Sequence, residues 1–573
     1  MSNLSGSSAA SGSLIARNYT SFRGVDFSNR KDEVSVYRSP DALNVWKNYK
    51  NSSGNCIETR PDIDLVKIYE NTIYGLYFYN GNMIVHSGTK LYKNDIVIYS
   101  NMTEHKSKFF IYDSKLYIKD GTNYLVYDGT NCTPVVGYIP TTSISRKPEG
   151  GGKYYEDVNL LTSLRKNQFC ADGTSKKYYV DVEQFDDDYT PIVSVNGTFT
   201  TAFIAYPSSG YIEFVTAPEA PMTDGQDNVI IQFKKEVSGY RAKIEQCTLL
   251  EVFDNRVFFS GNPNYPNMLW HCALEDPTYC RDLDYYTEGI DDSSIKALVS
   301  SNNALWVMKE PSQTNTTIFY HNPTIDDTEG KIYPSTHSSI STGCISTGIN
   351  FYDDIVFFSE RGLEAISGDV TTEQVIKHRS TLVDNRLLNE VNYKNVVLEK
   401  WQGYLLVFVD NKVYLADSRY LTTINGNNEY EWFYWELNDT ITSAFVNNEV
   451  LYLCSDKKIY TLTNNKDNRK IQAYWTTMAD EFGYPQLYKT TNKKAFVIDG
   501  SGTAIKLEIK KDYNNFTTIG TFTTIAKKID KQYFKAKVKA KKFKSLQQKF
   551  SSNSPFSLVS FTAEAYLGSV VKR

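Results

Sequence analysis

Seven copies of one hairpin pattern constrain the fold of this chain more than any other feature of its sequence. Each copy has an apolar strand, a tight turn rich in Asn, Asp and Gly, and two further strands, as in LYFYNGNMIVHSGTKLYK. These turn residues tolerate the positive φ angles that tight hairpins need. The turns begin near residues 80, 113, 254, 302, 353, 402 and 447, and the last four intervals are 48, 51, 49 and 45 residues. Such a period is typical of β-propeller blades.

Two intervals depart from this period. The first is 33 residues, which predicts a short blade, and the second is 141 residues. Once one normal period is allowed for, about 92 residues remain, and they contain alternating apolar and polar runs such as IVSVNGTFT and NVIIQFKKE. Because this alternation is typical of half-buried strands, we expect an inserted β-sandwich. Two irregular loops are the alternative.

After Leu462 the pattern changes to long alternating runs such as AIKLEIKKD, which predict a C-terminal β-sandwich. The chain is therefore predicted to be mainly β, with a propeller of about six to eight blades and two sandwiches. One short helix is expected within residues 380–392, from a serine cap and helically spaced leucines. The predicted segments are an N-terminal arm and docking segment (1–70), the first part of the propeller (71–147), the inserted sandwich (148–241), the second part of the propeller (242–465) and the C-terminal sandwich (466–573).

Composition agrees with a β protein and argues against some functions. The chain has 43 Tyr and 14% aromatic residues, which favour strands. Its net charge of −4 is unlike that of a general nucleic-acid binder. The eight cysteines are scattered, which predicts free thiols in a reducing compartment. We expect neither a standard export signal nor a membrane-spanning segment, since the apolar run YLLVFV is far too short to cross a bilayer.

The sequence contains no strong catalytic or metal-binding motif. His271, Cys272 and Cys280 lack a fourth ligand at normal spacing for zinc. The acidic stretches EQFDDDYTP and PTIDDTEG do not match a calcium loop and are expected to be solvated. We therefore predict no enzyme activity, metal or cofactor. A pair of glycosidase carboxylates, which would make the chain a polysaccharide-active enzyme, stays open as an alternative.

One basic stretch near the C-terminus alternates with small apolar residues. On a strand, the spacing puts four ammonium groups on one face and Ala536, Val538 and Ala540 on the other; the four are Lys535, Lys537, Lys539 and Lys541. One interpretation is an edge strand whose lysines block unwanted pairing. The other is a basic face that meets an acidic neighbour or phosphates.

The segment FRGVDFSNRKDEVSVYRSPDALNVWKNY, with CIETRPDI after it, lies before the first repeat. It resembles the start of bacteriophage tail nozzle proteins, that is, tail tubular protein B and related DNA-stabilisation proteins of short-tailed phages. The stretches NRVFFSGNP, VFFSERGLEAIS and EWFYWEL are also similar to this family. Pro61 departs from the R-x-G of many relatives. The matching positions are Gly24, Val25, Asp26, Pro40, Asp41, Asn44, Arg60 and Pro61.

This resemblance implies a structural virion protein that forms a ring, commonly six-fold, below the portal and its adaptor. Such a ring closes the tail tube and lets double-stranded DNA leave without binding it specifically, and tail fibres or other appendages are further possible neighbours. The protein would be assembled in the host cytoplasm and located in the tail of the virion. A propeller-type receptor-binding adhesin is the main alternative.

Because a propeller does not need such a lead-in to close its own core, the N-terminal segment is predicted to dock onto another protein. The expected apolar anchors are Phe22, Val25, Phe27 and Trp46, and the expected polar ones are Arg38 and Arg60. The alternative is that the segment packs across the protein's own sandwich.

Overall fold

The computed structural model describes residues 12–50, 56–301, 303–312, 315–326, 330–338, 342–367, 375–424, 427–463, 470–499, 503–525 and 531–570. Nearly all regular structure in these ranges is β, as predicted. The chain divides into two compact units, one with residues 1–76, 345–369 and 373–573, the other with residues 77–344 and 370–372. One continuous apolar core fills the first unit, whereas the second has several smaller cores.

Six four-stranded antiparallel sheets, together with four consecutive antiparallel strands of a larger sheet, correspond to the seven sequence repeats, which confirms the predicted propeller fold. The first two blades contain the strands Ile73–Tyr79, Asn82–Ser87, Lys90–Lys93 and Ile96–Tyr99, then Lys108–Tyr112, Lys115–Lys119, Tyr124–Tyr127 and Cys132–Pro134. The next two contain Leu249–Phe253, Arg256–Ser260, Met268–His271 and Tyr285–Thr287, then Ile295–Ser300, Leu305–Lys309, Ile318–His321 and Ser335–His337, with a small ribbon of Thr324–Asp326 and Gly330–Ile332. The division between the two units falls within Ile73–Tyr79, the first strand of the first blade.

The last three blades belong to the first unit. Their strands are Gly348–Phe351, Asp354–Ser359, Gly362–Ser367 and Val375–His378; then Val397–Trp401, Tyr404–Val409, Lys412–Ile424 and Asn427–Glu436; then Ser443–Asn447, Val450–Ser455, Lys458–Thr463 and Asp62–Ile68. The seventh blade is thus completed by a strand from the N-terminal part of the chain, which pairs antiparallel with Lys458–Thr463. The arm predicted for residues 1–70 therefore includes one strand of the propeller.

The hairpin turns have the backbone geometry that their residues predict. Positive φ angles occur in pairs, for example 44° and 56° at Asp113 and Ser114, and 49° and 56° at Asp254 and Asn255. Two successive positive φ angles match the right-handed twist of the adjoining strands. The turn expected near residue 302 lies partly outside the described residues.

The inserted segment folds as predicted, into strands that enclose a core of their own. A six-stranded sheet holds Lys153–Tyr154, Thr141–Arg146, Leu164–Phe169, Val229–Lys234, Ile192–Val195 and Thr198–Thr200. A three-stranded sheet holds Lys177–Tyr179, Tyr211–Phe214 and Phe203–Tyr206. The strand Thr141–Arg146 begins before residue 148, the predicted start of the insertion.

The C-terminal sandwich also forms as predicted, but the N-terminal segment supplies several of its strands. One sheet holds Asp41–Leu43, Ala473–Thr476, Leu546–Ser552, Ala504–Lys511 and Thr517–Thr523. The other holds Val45–Trp46, Ile57–Thr59, Ser557–Val570, Leu487–Asp499 and Gln532–Phe543, with Leu14–Tyr19 paired to Ser557–Val570. This second sheet continues through Val45–Trp46 into the sixth blade, so that ten strands form one hydrogen-bonded sheet.

The helical structure differs from the expectation. The helix predicted within residues 380–392 is one turn, Asp384–Leu387, and Ser380 does not cap it. The Ser380 hydroxyl instead donates to Asp384 Oδ1 and accepts a hydrogen bond from the backbone N–H of Leu363. The described residues contain two further short helices, the 3₁₀ helix Pro207–Ser209 and the α-helix Tyr240–Glu245. Side-chain hydrogen bonding by Ser competes with helix formation, which explains the late start.

Gly24 lies where the N-terminal segment crosses the sixth blade. Its φ is +78°, and a Cβ atom added to it would lie 2.0 Å from the backbone oxygen of Trp432. The adjacent Val25 N–H donates to that same oxygen at 2.7 Å. A side chain at this position would therefore break the crossing.

We expect Gly24→Ala to lower the free energy of unfolding by about 3 kcal/mol or more, because a steric clash with backbone adds to the left-handed φ. Gly483→Ala is the matched control, since its φ is +81° and nothing lies within 4 Å of its added Cβ. The control should lose only about 1 kcal/mol. Denaturant unfolding of both variants measures this, and equal losses would contradict the role given to the crossing.

Candidate functional site

The predicted apolar anchors of the N-terminal segment lie inside the protein's own core. Phe22, Val25 and Trp46 are each 1% exposed. The Trp46 ring stacks on Trp401 and meets Trp435 edge-on, both at 5.5 Å between ring centroids. Trp401 and Trp435 belong to the sixth blade, so these contacts lie within the protein's own chain, whereas the alternative interpretation placed the segment on the protein's own sandwich. A role of the segment in assembly stays a prediction, but these three side chains have almost no free surface to give to a partner.

Phe27 is half-buried and packs against the sixth blade. Its ring meets Tyr434 edge-on at 5.5 Å, and the Arg386 guanidinium lies 4.9 Å from the ring centroid. The backbone N–H of Phe27 donates to the Leu382 carbonyl. Part of this ring remains exposed, so among the four predicted anchors it is the one with surface left for a further contact.

The two predicted arginines are also buried. Arg60 donates from Nε to Asn44 Oδ1 at 2.9 Å, and from its terminal nitrogens to the carbonyls of Pro61 and Glu436. Burial lowers the pKa of Arg60 to about 10. Arg38 donates to Thr422 Oγ1 at 2.8 Å. Both side chains therefore hold the segment to the sixth blade.

The positions that carry the family resemblance are concentrated where the N-terminal segment passes between the sixth blade and the C-terminal sandwich, a region that we call the joint. Asn44 has a φ of 56°, and its Oδ1 accepts hydrogen bonds from both Arg60 Nε and the backbone N–H of Glu436. Asp41 accepts a hydrogen bond from the Tyr474 hydroxyl, and Asp26 accepts two from Asn29. Together with Gly24, these residues fix the path between blade and sandwich, a role that periodicity does not reveal.

A buried ion pair strengthens the same joint. Lys47 Nζ lies 2.8 Å from Glu431 Oε2, and the two side chains are 6% and 1% exposed. Burial raises the pKa of Glu431, and Lys47 counteracts it. Removal of one partner from a buried pair leaves an uncompensated charge, so this contact makes the placement of the segment specific.

The four lysines of the basic stretch lie on one exposed face of Gln532–Phe543, as the alternation predicts. Ala536, Val538 and Ala540 face inward and are at most 5% exposed. The strand is the last in its sheet. The neighbouring strand adds Lys493, which lies directly opposite Lys537. This fifth lysine lies outside the predicted basic strand, because cross-strand register is not visible in sequence.

Lys494, next in the chain, points to the opposite side and is 4% exposed. In the part of the chain that the structure describes, its Nζ has no hydrogen-bond partner. Burial lowers its pKa to about 7, against the attraction of Asp480. The Lys494 amine is thus buried in an apolar sandwich that disfavours its charged form.

Catalytic and metal-binding groups do not converge where the sequence offered candidates. His271 Nδ1 lies 3.0 Å from the Cys272 carbonyl oxygen. Among the described residues, which include all eight cysteines, none of the cysteines is in a disulfide bond, and six of them are buried. Among the described residues, no group of three or more His, Cys, Asp or Glu has the arrangement to hold a metal ion. The acidic stretch PTIDDTEG lies partly outside these residues.

A charged cluster that sequence reasoning missed lies in the fifth blade. His378 Nε2 is 2.6 Å from Asp384 Oδ2, and its Nδ1 is 3.2 Å from Glu364 Oε1. Although burial by itself lowers the pKa of His378, the two carboxylates raise it to about 10. Such a histidine stays protonated at neutral pH, so it has no free nitrogen for a general base. We interpret the cluster as a structural tie.

A cleft of about 510 Å³ lies in the second unit. Tyr117 is 4% exposed, and burial raises its pKa to about 12. The cleft is rich in acceptors and aromatic groups, which would suit a ligand with hydroxyl or amino groups. Its lining residues are Tyr112, Asp113, Lys115, Tyr117, Asn255, Glu275, Asp276, Pro277 and Thr278.

No helix among the described residues is both long and apolar enough to cross a membrane.

No protein-family model matches this sequence, and no curated protein sequence matches it. The structure of BamB from Moraxella catarrhalis is similar with a TM-score of 0.31 and 11% identity, over 72% of this chain and 99% of that one.

Two structures of an exo-beta-1,3-galactanase from Phanerochaete chrysosporium are also similar. The one with beta-1,3-galactotriose has a TM-score of 0.22 and 8% identity, over 55% of this chain and 94% of that one. The one with galactose has 0.20 and 6%, over 81% and 96%. Similarities at this level carry no argument about what this chain does.

We expect Arg60→Met to lower the free energy of unfolding by about 2–4 kcal/mol, because Asn44 and two carbonyls lose a charged donor inside the protein. Arg30→Met is the control, since the Arg30 side chain is 68% exposed and pairs with Asp32 at the surface. The control should change stability by less than about 0.5 kcal/mol. Urea unfolding measures both, and a neutral Arg60→Met would contradict the tie.

We expect Lys494→Met to stabilise the protein most at low pH. Between pH 7 and the ordinary lysine pKa of 10.5, the unfolded chain binds a proton that the folded chain does not. Stability at this position therefore rises with pH across that window and is lowest below it. The replacement should add about 2–4 kcal/mol at pH 6 and clearly less at pH 10, as measured by urea unfolding. Lys493→Met, on the exposed face, is the control, and a pH-independent gain would contradict burial of the charge.

Proposed function

We propose that this protein is a structural component of a bacteriophage tail that forms a ring, a nozzle or a segment of the tail tube. The ten-stranded sheet that joins the sixth blade to the C-terminal sandwich carries this proposal. Backbone hydrogen bonds run without interruption from propeller to sandwich, so that a load on one is transmitted to the other. A ring that withstands DNA ejection requires this kind of rigid connection.

The opening segment supports the same proposal. The residues that resemble tail nozzle proteins are those that build the joint: Gly24 permits the crossing over Trp432, and Asn44 and Arg60 lock it. The resemblance therefore concerns positions with a mechanical role. Such a role needs no catalytic group, and we propose that the protein is not an enzyme.

Charge is compatible with a passage for DNA. With a net charge of −4, the chain has no overall excess of lysine and arginine to hold phosphates. We propose that acidic loops face the channel and that the lysine strand faces away from it. The ring, in this proposal six-fold, contacts the tail adaptor or a portal-proximal ring, and fibres or appendages attach outside. It is assembled in the host cytoplasm and carried in the virion tail.

We expect the purified chain, alone or with an adaptor ring, to form closed rings of about six copies. Light scattering measures the mass, and negative-stain images show the ring and its channel. A lumen lined mainly by lysine and arginine would contradict the placement of the acidic loops. A particle that stays monomeric with and without the adaptor would contradict the proposal as a whole.

A receptor-binding adhesin is the second candidate, and the cleft near Tyr117 favours it. Aromatic rings with nearby carboxylates and an amide are suited to saccharide hydroxyls. A monomer that binds glycans, with binding lost in Asp113→Asn, would support this candidate. Turnover of a polysaccharide, abolished by one carboxylate change, would instead support an enzyme.

A further inference from the structure

The exposed lysine face extends beyond the edge strand, so protection of the edge does not account for all of its lysines. Gln532–Phe543 is an edge strand, and lysines on an edge prevent unwanted pairing. Lys493, however, belongs to Leu487–Asp499, which is paired on both sides, with Gln532–Phe543 and with Ser557–Val570. An interior strand has no edge to protect, so Lys493 needs another explanation.

The register of the two paired strands places like charges close together, which lowers the stability of the sheet. Lys493 and Lys537 are directly opposite each other, and Lys535 is opposite Ala495 on the same face. Like charges directly opposite each other on a sheet destabilise it. The face carries five ammonium groups, and an anionic partner would compensate their repulsion.

The sheet edge indicates the kind of partner. In the part of the chain that the structure describes, Gln532–Phe543 pairs with one strand, Leu487–Asp499, and the Gln532 side chain is bonded to Ile525, so that residues 533–543 present alternating backbone N–H and C=O groups at the other edge. A protein strand satisfies both kinds of group. A nucleic-acid backbone offers phosphate acceptors for the N–H groups but nothing comparable for the carbonyls, so the edge favours a protein.

Lysine spacing indicates how the partner is built. Alternate residues on a strand are about 6.6–6.8 Å apart, and carboxylates at alternate positions of a paired strand would come opposite the lysines. Its other residues would continue the face of Ala536, Val538 and Ala540, where side chains are small and apolar.

We propose that an extended segment of another protein, with acidic residues alternating with small apolar ones, adds to the sheet along residues 533–543. Backbone hydrogen bonds supply part of the affinity, and the lysine face selects the acidic sequence. The proposal is independent of the tail role, and its test measures peptide binding rather than ring formation, so the two can fail separately.

The test uses the full chain and fluorescein-labelled peptides. The probe is a seven-residue peptide of alternating Glu and Val, and the controls are a peptide with the same residues in two blocks and an alternating peptide whose backbone nitrogens are methylated on one edge. Fluorescence anisotropy at 50 and 300 mM salt measures affinity. We expect the alternating probe to bind at least about 10-fold more tightly than either control, and to weaken at least about 10-fold at high salt.

The protein variant for this test is Lys535→Glu with Lys539→Glu, which leaves Lys537 and Lys493 unchanged. It should lose at least about 10-fold in affinity for the probe. The matched control is Lys147→Glu with Lys153→Glu, two exposed lysines of the inserted sandwich, and it should bind normally. Denaturant unfolding checks that both variants are folded.

Several outcomes would overturn the proposal. One is absence of probe binding, and another is equal binding of the methylated peptide, which would show that the edge is not used. A third is tighter binding of a 20-nucleotide DNA that is lost in the Lys535→Glu, Lys539→Glu variant, which would assign the face to phosphates instead.

Discussion

The structure of the first unit depends on one strand of two residues, Val45–Trp46, which connects distant parts of the chain. On one side Val45 pairs with Tyr434 of the sixth blade, and on the other this strand pairs with Ile57–Thr59. Buried backbone groups must be hydrogen-bonded, so a strand inserted here cannot be removed without leaving both neighbours unpaired. The short strand makes blade and sandwich one sheet.

The charges around this strand explain how its position is specified. Apolar packing alone would hold Trp46 between Trp401 and Trp435, but apolar contacts tolerate small shifts. Lys47 and Arg60 do not tolerate them, because each has buried partners that fit one register: Glu431 for Lys47, and Asn44 for Arg60. The ion pair and the guanidinium thus contribute specificity more than stability.

Two features of the C-terminal sandwich show how one sheet can combine stability with recognition. On one side of Leu487–Asp499, Lys494 is buried without a hydrogen-bond partner among the described residues, at a cost in stability. On the other side, Lys493 joins the four lysines of the edge strand. Natural proteins accept such costs mainly where a surface or a conformation has a use, which is why the lysine face is central to the proposed peptide-binding site.

Much of the fold follows from the sequence, because its signals are local. Hairpin turns, blade periodicity, the inserted strands and the alternation of the lysine strand each depend on residues less than about 50 positions apart. Apart from the turn near residue 302, which lies partly outside the described residues, all of them are present in the structure. The helix predicted within residues 380–392 is shorter in the structure. The reason is that the Ser380 hydroxyl forms hydrogen bonds with Asp384 and Leu363 instead of capping the helix.

The sequence by itself therefore determined the β class, the repeats and the two-faced lysine strand. Tertiary structure alone decided where the N-terminal segment goes, since its partners are hundreds of residues away: Tyr434 for Val45, Phe561 for Tyr19 and Lys458 for Ile68. No local pattern encodes such pairings, because many strands offer equivalent backbone groups and only the complete core selects among them. For the same reason, Phe22, Trp46 and Arg60 looked like free anchors in the sequence and are buried ties in the fold.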